Sequence, residues 1–237
     1  MTRATPSKHA MPLLGSAAML LTFDVDADAI EEHDRWHTHE HLPERLAIPG
    51  FLRGTRWVAT KEGPRYMVVY EVEGLATLAS APYLARLNDP TPWTKRMMPR
   101  YRGMQRGLCA VLGSFGRGQG GAAALLRFTP PAGDTGKQLH RWLLADALPR
   151  LPAMTGLGSA HLLQGAQAAA MTNEQRIRGA DRGVDSAVIM TGYELDAVVE
   201  QAQRLHGDGG LASQGASDIS VVAYRCAYSL AASEIPA

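Results

Sequence analysis

The chain has 237 residues, 46% of them hydrophobic and 20% charged, with a formal net charge of +1. That length holds one large domain or two of ordinary size, with enough apolar material for a core. The balanced charge gives no case for nucleic acid or an anionic membrane as partner. No apolar window approaches the roughly 18 residues of a membrane-spanning helix.

Residues 1–17 read as an N-terminal extension: it carries Arg3 and Lys8, its apolar stretch is short, and it does not resemble a cleaved signal. Apolar and β-branched residues then predict a strand at 19–26, followed by a helix at 27–47. Beyond the Pro49-Gly50 turn come strands at 51–60 and 65–73, a helix at 75–87 and a strand at 105–114. The basic run from Lys95 to Arg106 is broken by Met97, Met98, Pro99 and Tyr101, and reads as a helix and loop with a solvated basic side, the alternative being an anion clamp over a pocket. Gly113–Gly121 holds five glycines; its core, 116–121, reads as a linker, because no helix follows to make a phosphate cradle. The same order then recurs: strand 122–129, helix 135–150, strands 157–164 and 186–195, helix 196–206, strand 219–229. Cys109 and Cys226 each sit in a last strand and read as buried free thiols of a reducing cytoplasm.

The recurrence is also a sequence repeat. At an offset of 106, Arg35-Trp36 falls on Arg141-Trp142, Leu42-Pro43 on Leu148-Pro149 and Gly50 on Gly156. The offset grows to 123 at Tyr70-Glu71 and Tyr193-Glu194, so the second copy holds about 17 extra residues, near 164–184, read as a long loop. Each copy is βαββαβ, the split ferredoxin-like unit. The fold class expected is therefore α+β: two tandem ferredoxin-like units, 18–115 and 122–231, packing sheet to sheet as an α/β barrel. Such packing covers the face that each sheet would otherwise leave bare. A ligand would sit in a sheet–helix cleft or inside the barrel.

Only the first copy carries a chemically loaded helix. Four of the eight histidines, His33, His37, His39 and His41, fall within nine residues. At ordinary helical spacing His33, His37, Glu40, His41 and Glu44 share one face, with Trp36, Leu42 and Leu46 on the other. Pro43 should break or kink the helix at Leu42. In the second copy His37 is replaced by Leu143, His39 by Ala145 and His41 by Ala147, while Trp and Leu-Pro persist. Residues needed only for the fold should persist in both copies, so the imidazoles point to function. The plain alternative is a polar face whose histidines do nothing.

The run from Trp36 through Glu40-His41-Leu-Pro-Glu-Arg45 to Pro49-Gly50-Phe51, with Asn88-Asp-Pro-Thr-Pro-Trp93 downstream, resembles the signature of an uncharacterised bacterial family of the dimeric α/β-barrel superfamily. The resemblance covers about residues 18–115. It implies the fold, and a range of chemistries that includes small-molecule isomerases, lyases, cofactor-free monooxygenases and haem enzymes.

The chemistry expected is cofactor-independent acid–base catalysis of lyase or isomerase type on a carbonyl- or phenol-containing catabolite. His41 and His37 would move protons, with Glu40 and Glu44 orienting them. Arg45, Arg56 and Arg96 could hold a substrate carboxylate or enolate, and Trp36, Trp57, Tyr66 and Trp93 could line an aromatic pocket. The alternatives are zinc on His37 and His41, a formal H-x-x-E-H match with Glu71 or Glu73 as third ligand, an axial haem histidine, or a non-catalytic binding protein. The partner expected is a small-molecule substrate, with a homodimer left open as the assembly state.

Overall fold

The computed structural model describes residues 12–166, 172–178, 183–207 and 209–236. The extension before Pro12 and parts of the long insertion therefore lie outside the described residues. In the first copy, β1 (Ala17–Val25) leads through a short 3-10 turn into α1 (Ile30–Trp36), a π turn (His37–His41) and α2 (Leu42–Leu46). β2 (Phe51–Ala59), β3 (Tyr66–Val72), α3 (Ala81–Asn88), α4 (Pro92–Met97) and β4 (Tyr101–Gly116) complete it. The second copy runs β5 (Ala122–Thr129), α5 (Gly133–Trp142), a π turn (Leu143–Ala147), α6 (Leu148–Arg150), β6 (Leu157–Gly165), α7 (Asn173–Arg178), β7 (Ser186–Gly192), α8 (Leu195–His206) and β8 (Ser217–Ala231).

The eight strands among the described residues close into one barrel in the order β1-β3-β2-β8-β5-β7-β6-β4, every pair antiparallel. The two four-stranded sheets are joined at two seams, β2 to β8 and β4 to β6. Two-residue alternation divides each strand between inside and outside. On β3, Met67 and Val69 enter the barrel core with Leu20, Trp57, Leu125 and Ile189. Tyr66, Val68, Tyr70 and Val72 point outward under the helices of the first copy. A third cluster underlies the helices of the second copy, and β4 reaches both outer clusters with Leu108 at one end and Phe115 at the other.

Several sequence expectations shift. β4 starts at Tyr101 and runs through Gly116, so the linker is shorter than the glycine count implied. The segment after β3 is a 3-10 turn followed by α3, which Ser80 caps by accepting from the Tyr83 amide. Cys226 is exposed; Cys109 is buried in the barrel. The inserted loop carries a helix, α7.

Pro43 does not break its helix. The Leu42 amide donates to the His37 carbonyl, one residue further back than in an α-helix, and the chain then continues as α2 with Pro43 in its first turn. The second copy repeats the device: Leu148 donates to Leu143 immediately before Pro149. Widening the ladder just ahead of a proline relieves the clash between its ring and the preceding turn. The conserved Leu-Pro pair therefore marks a π turn in both copies.

Candidate functional site

The π turn reshapes the face on which the histidines lie. An ordinary helix sets residues five apart on different sides, but five residues here span about one turn. Trp36 and His41 consequently stack, with ring centroids 4.4 Å apart. His33, His37 and His41 form a column at centroid spacings of 5.4 and 5.5 Å. Trp36 is thus on the histidine face, contrary to the simple periodicity, and all four rings are buried.

His37 and His41 of this column form one wall of a narrow cavity between the outer face of the first sheet and its helices. The cavity holds about 460 Å3 of non-atom space, its open mouth included. His37, His41 and Arg45 line it from the helix, with Met19, Phe23 and Tyr70 from the sheet floor. Tyr83, Tyr101 and Arg106 close its sides, and Glu174 of α7 lies across it from the other half of the chain. The Tyr70 hydroxyl is 3.5 Å from His37 Nε2, a long and weak contact. Arg106 donates to the Tyr83 hydroxyl at 3.1 Å, and that hydroxyl donates to Met19 Sδ.

The electrostatics favour neutral imidazoles beside fixed cations. Burial holds the His37 pKa well below its ordinary value, and the charges of His33, Arg56 and Arg45 push the same way. His33 is also lowered, by burial against the opposing pull of Asp34. Burial raises Tyr70, keeping its phenol protonated. Among the described residues, His37 Nδ1 and Arg45 Nη1 are buried polar atoms with no hydrogen-bond partner.

Other predicted site residues lie elsewhere. Glu40 accepts from Trp36 Nε1 at 3.1 Å and from Thr91 Oγ1 at 2.6 Å, so it orients the tryptophan and not an imidazole. Glu44 faces Arg86, and burial raises its pKa. Arg56 donates to the Asp34 carbonyl and pairs with its carboxylate, tying β2 to α1 behind the histidines. Trp57 points into the barrel core, on the other side of the sheet from the cavity. Tyr66 packs on His33 and Phe23 outside the cavity lining. Trp93 donates to Glu32 near the surface, and Arg96 is exposed. Glu71 faces the barrel interior and pairs with Arg53, so alternation puts it on the wrong side of β3 to join His37 and His41. No group of three or more potential ligands from His, Cys, Asp and Glu occurs among the described residues.

The site also uses residues that sequence reasoning missed, Tyr70, Tyr83, Met19 and Glu174, while Arg106 comes from the basic run offered as an anion clamp. Alternation along β3 could have found Tyr70, because it shares the face of Tyr66 and Val68. Nothing local marks Glu174, which reaches the cavity from 129 positions beyond Arg45.

The chain superposes on an anthrone oxidase-like protein with a TM-score of 0.60 and 10% identity, over 93% of this chain and 94% of that one. A presumed monooxygenase from Fusobacterium nucleatum gives 0.57 at 7% identity, over 91% and 94%. A haem-binding protein from Thermus thermophilus gives 0.52 at 9%, over 89% and 91%. The fold is that of the dimeric α+β barrels. At these identities the likeness concerns the fold alone. No family model and no curated protein matches the chain, so the narrower signature around Trp36–Phe51 remains a resemblance.

Proposed function

We propose that the first-copy cavity binds a small phenolic or enolisable carbonyl compound, and that His37 takes a proton from it. The observation that carries this reading is the buried imidazole of His37: it lines the cavity, is held neutral, and keeps Nδ1 unpaired among the described residues. A neutral imidazole is a proton acceptor. Its lowered pKa makes it a weak base, but an enolate or phenolate formed beside it would raise that pKa, and Arg45 and Arg106 would stabilise the new anion. Tyr70 stays protonated and can donate a hydrogen bond to the anion.

The enolate has three fates. Reprotonation at another carbon is isomerisation, and expulsion of a group is elimination, the lyase or isomerase outcome. The oxidase and monooxygenase names among the fold's other members add a third, reaction with dioxygen. There the substrate C–H bond is lost as a proton, a C–O bond forms to dioxygen, and the hydroperoxide loses water to give the ketone.

Haem is the competing reading, since one protein of this fold binds it and a buried neutral imidazole is a suitable axial donor. The donor set fits, but the space does not. The Arg45–Glu174 bridge crosses the cavity and Tyr70, Tyr83 and Tyr101 wall it, so a porphyrin would need these residues to move.

The test is a turnover screen of enolisable ketones and phenols, with anthrone as first probe, following oxygen uptake and product formation. His37→Gln should lower kcat at least about 100-fold with a small change in KM, the size typical of a lost general base. The acid limb of the kcat profile should lie below about pH 6.5, the ordinary histidine value, because the folded pKa is lowered. Unchanged kcat in His37→Gln, or a haem absorption band that tracks His37, would overturn the proposal.

A further inference from the structure

The cavity is not completed by its own half of the chain. The longer second copy sends α7 back over it. Asn173 anchors that helix: its amide donates to Asn88 Oδ1 at 3.2 Å, and its side chain donates to the Asn88 carbonyl at 2.8 Å. Beside it, Glu174 accepts from Arg45 Nη2, and both residues are almost wholly buried. A guanidinium presents a fork of donors, and one carboxylate oxygen on Nη2 leaves the Nη1 edge without a partner among the described residues. Burial alone would weaken the charge on Arg45; Glu174, with Tyr83 and Tyr70, more than offsets it, so the side chain stays a full cation.

The charges at this end of the cavity do not cancel. Arg45 and Arg106 are cations, Glu174 is the one carboxylate in the lining, and His37 is neutral. Arg106 forms no ion pair among the described residues; it donates to the Tyr83 hydroxyl and to Met19 Sδ. One positive charge is left over in the lining, on the half-buried Arg106, and the donor edge that lacks a partner belongs to the buried Arg45, where a ligand anion would satisfy it. A neutral ligand would leave that charge standing.

We propose that Arg45 is a carboxylate seat, that the natural substrate carries a carboxylate bound on its Nη1 edge, and that Glu174 is the competing carboxylate which sets how strongly that seat attracts an anion. This rests on the cavity being the substrate site and deepens that reading by naming the substrate class. Two carboxylates on one guanidinium repel each other, so Glu174 restrains binding of weak or oversized acids. Arg106 supplies the second charge that makes simultaneous occupancy affordable.

The experiment is titration calorimetry on the full chain with matched probes: benzoate and 1-naphthoate against their neutral amides, with inorganic phosphate as a second anion. Wild type should prefer each carboxylate to its amide by about tenfold, the effect of one charge-assisted hydrogen bond. Glu174→Gln should widen that preference about tenfold further, through tighter carboxylate binding. Arg45→Met alone would strand a buried Glu174, so the paired change Arg45→Met with Glu174→Gln is the decisive variant, and it should abolish the preference. Equal affinity for acid and amide in Glu174→Gln, a preference that survives in the double variant, stronger binding of phosphate than of either carboxylate, or no saturable carboxylate binding would each overturn the seat. His37→Gln separates this from the proton-transfer reading: it should keep carboxylate selectivity whatever happens to turnover.

Discussion

His161 offers the sharpest physical test of the barrel interior. It lies on β6, 3% exposed, with Nδ1 at 2.8 Å from the Ser114 hydroxyl and Nε2 at 3.1 Å from the Ser159 hydroxyl, which bonds onward to Thr191. Burial, helped by the charge of Arg53, takes its pKa down to about 3. The unfolded chain binds the same proton near pH 6.5, so the unfolded state gains protons first as pH falls. The contribution of His161 is therefore complete above about pH 6.5 and is lost progressively as pH drops toward about 3. Each pH unit inside that window costs about 1.4 kcal/mol, or nearly 3 kcal/mol between about pH 6 and pH 4. A domain with 5–15 kcal/mol in hand, as is typical, feels a loss of that size. Urea unfolding of wild type and His161→Gln across this range gives the slope directly. The variant should start lower at neutral pH, having lost two hydrogen bonds, yet fall less steeply by about 1.4 kcal/mol per pH unit. His33, His37 and the carboxylates titrate in both proteins and drop out of the comparison. Equal slopes would show that His161 is hydrated or protonated in the fold and would refute the reasoning.

Two further predictions concern the scaffold. Arg53→Met should destabilise by about 3 kcal/mol in urea unfolding, because it strands the buried Glu71 carboxylate; adding Glu71→Gln should recover most of the loss. Gly54→Ala should cost about 1–3 kcal/mol by the same measurement, since its Cβ would come within 2.3 Å of a Leu42 methyl and 3.2 Å of the Tyr70 ring, where α2 packs on β2.

The architecture was legible because the repeat and the two-residue alternation are direct images of strand geometry. Arg35-Trp36 over Arg141-Trp142 set the register of the copies, and the bare face of each sheet implied its partner. The histidine helix was legible as a place but not as a surface. A 100° wheel assumes four-residue bonds, and the turn from His37 to His41 makes five-residue ones, so Trp36 was assigned to the wrong side. Trp57 and Tyr66 were chosen by residue type, whereas strand parity places Trp57 inside the barrel, opposite the cavity. Glu71 was offered as a ligand for the same reason and fails by the same parity. Glu174 could not be read at all, because its role depends on a contact between halves that local pattern does not encode.

The two seams have a consequence for how the molecule is made. Closing the cylinder brings Thr55 against Ser229, partners 174 positions apart, and every paired position of β2 and β8 is at least 165 residues apart. Contacts at such separation form late and slowly, because the intervening chain must be ordered first. Until the second half leaves the ribosome, the first half presents β2 and β4 as open edges, awaiting β8 and β6, and Leu20, Met67 and Val69 as an uncovered apolar sheet. Such surfaces are templates for pairing with other chains. The nascent first half is thus the aggregation-prone species in the life of this protein, and synthesis of the second half ends that exposure.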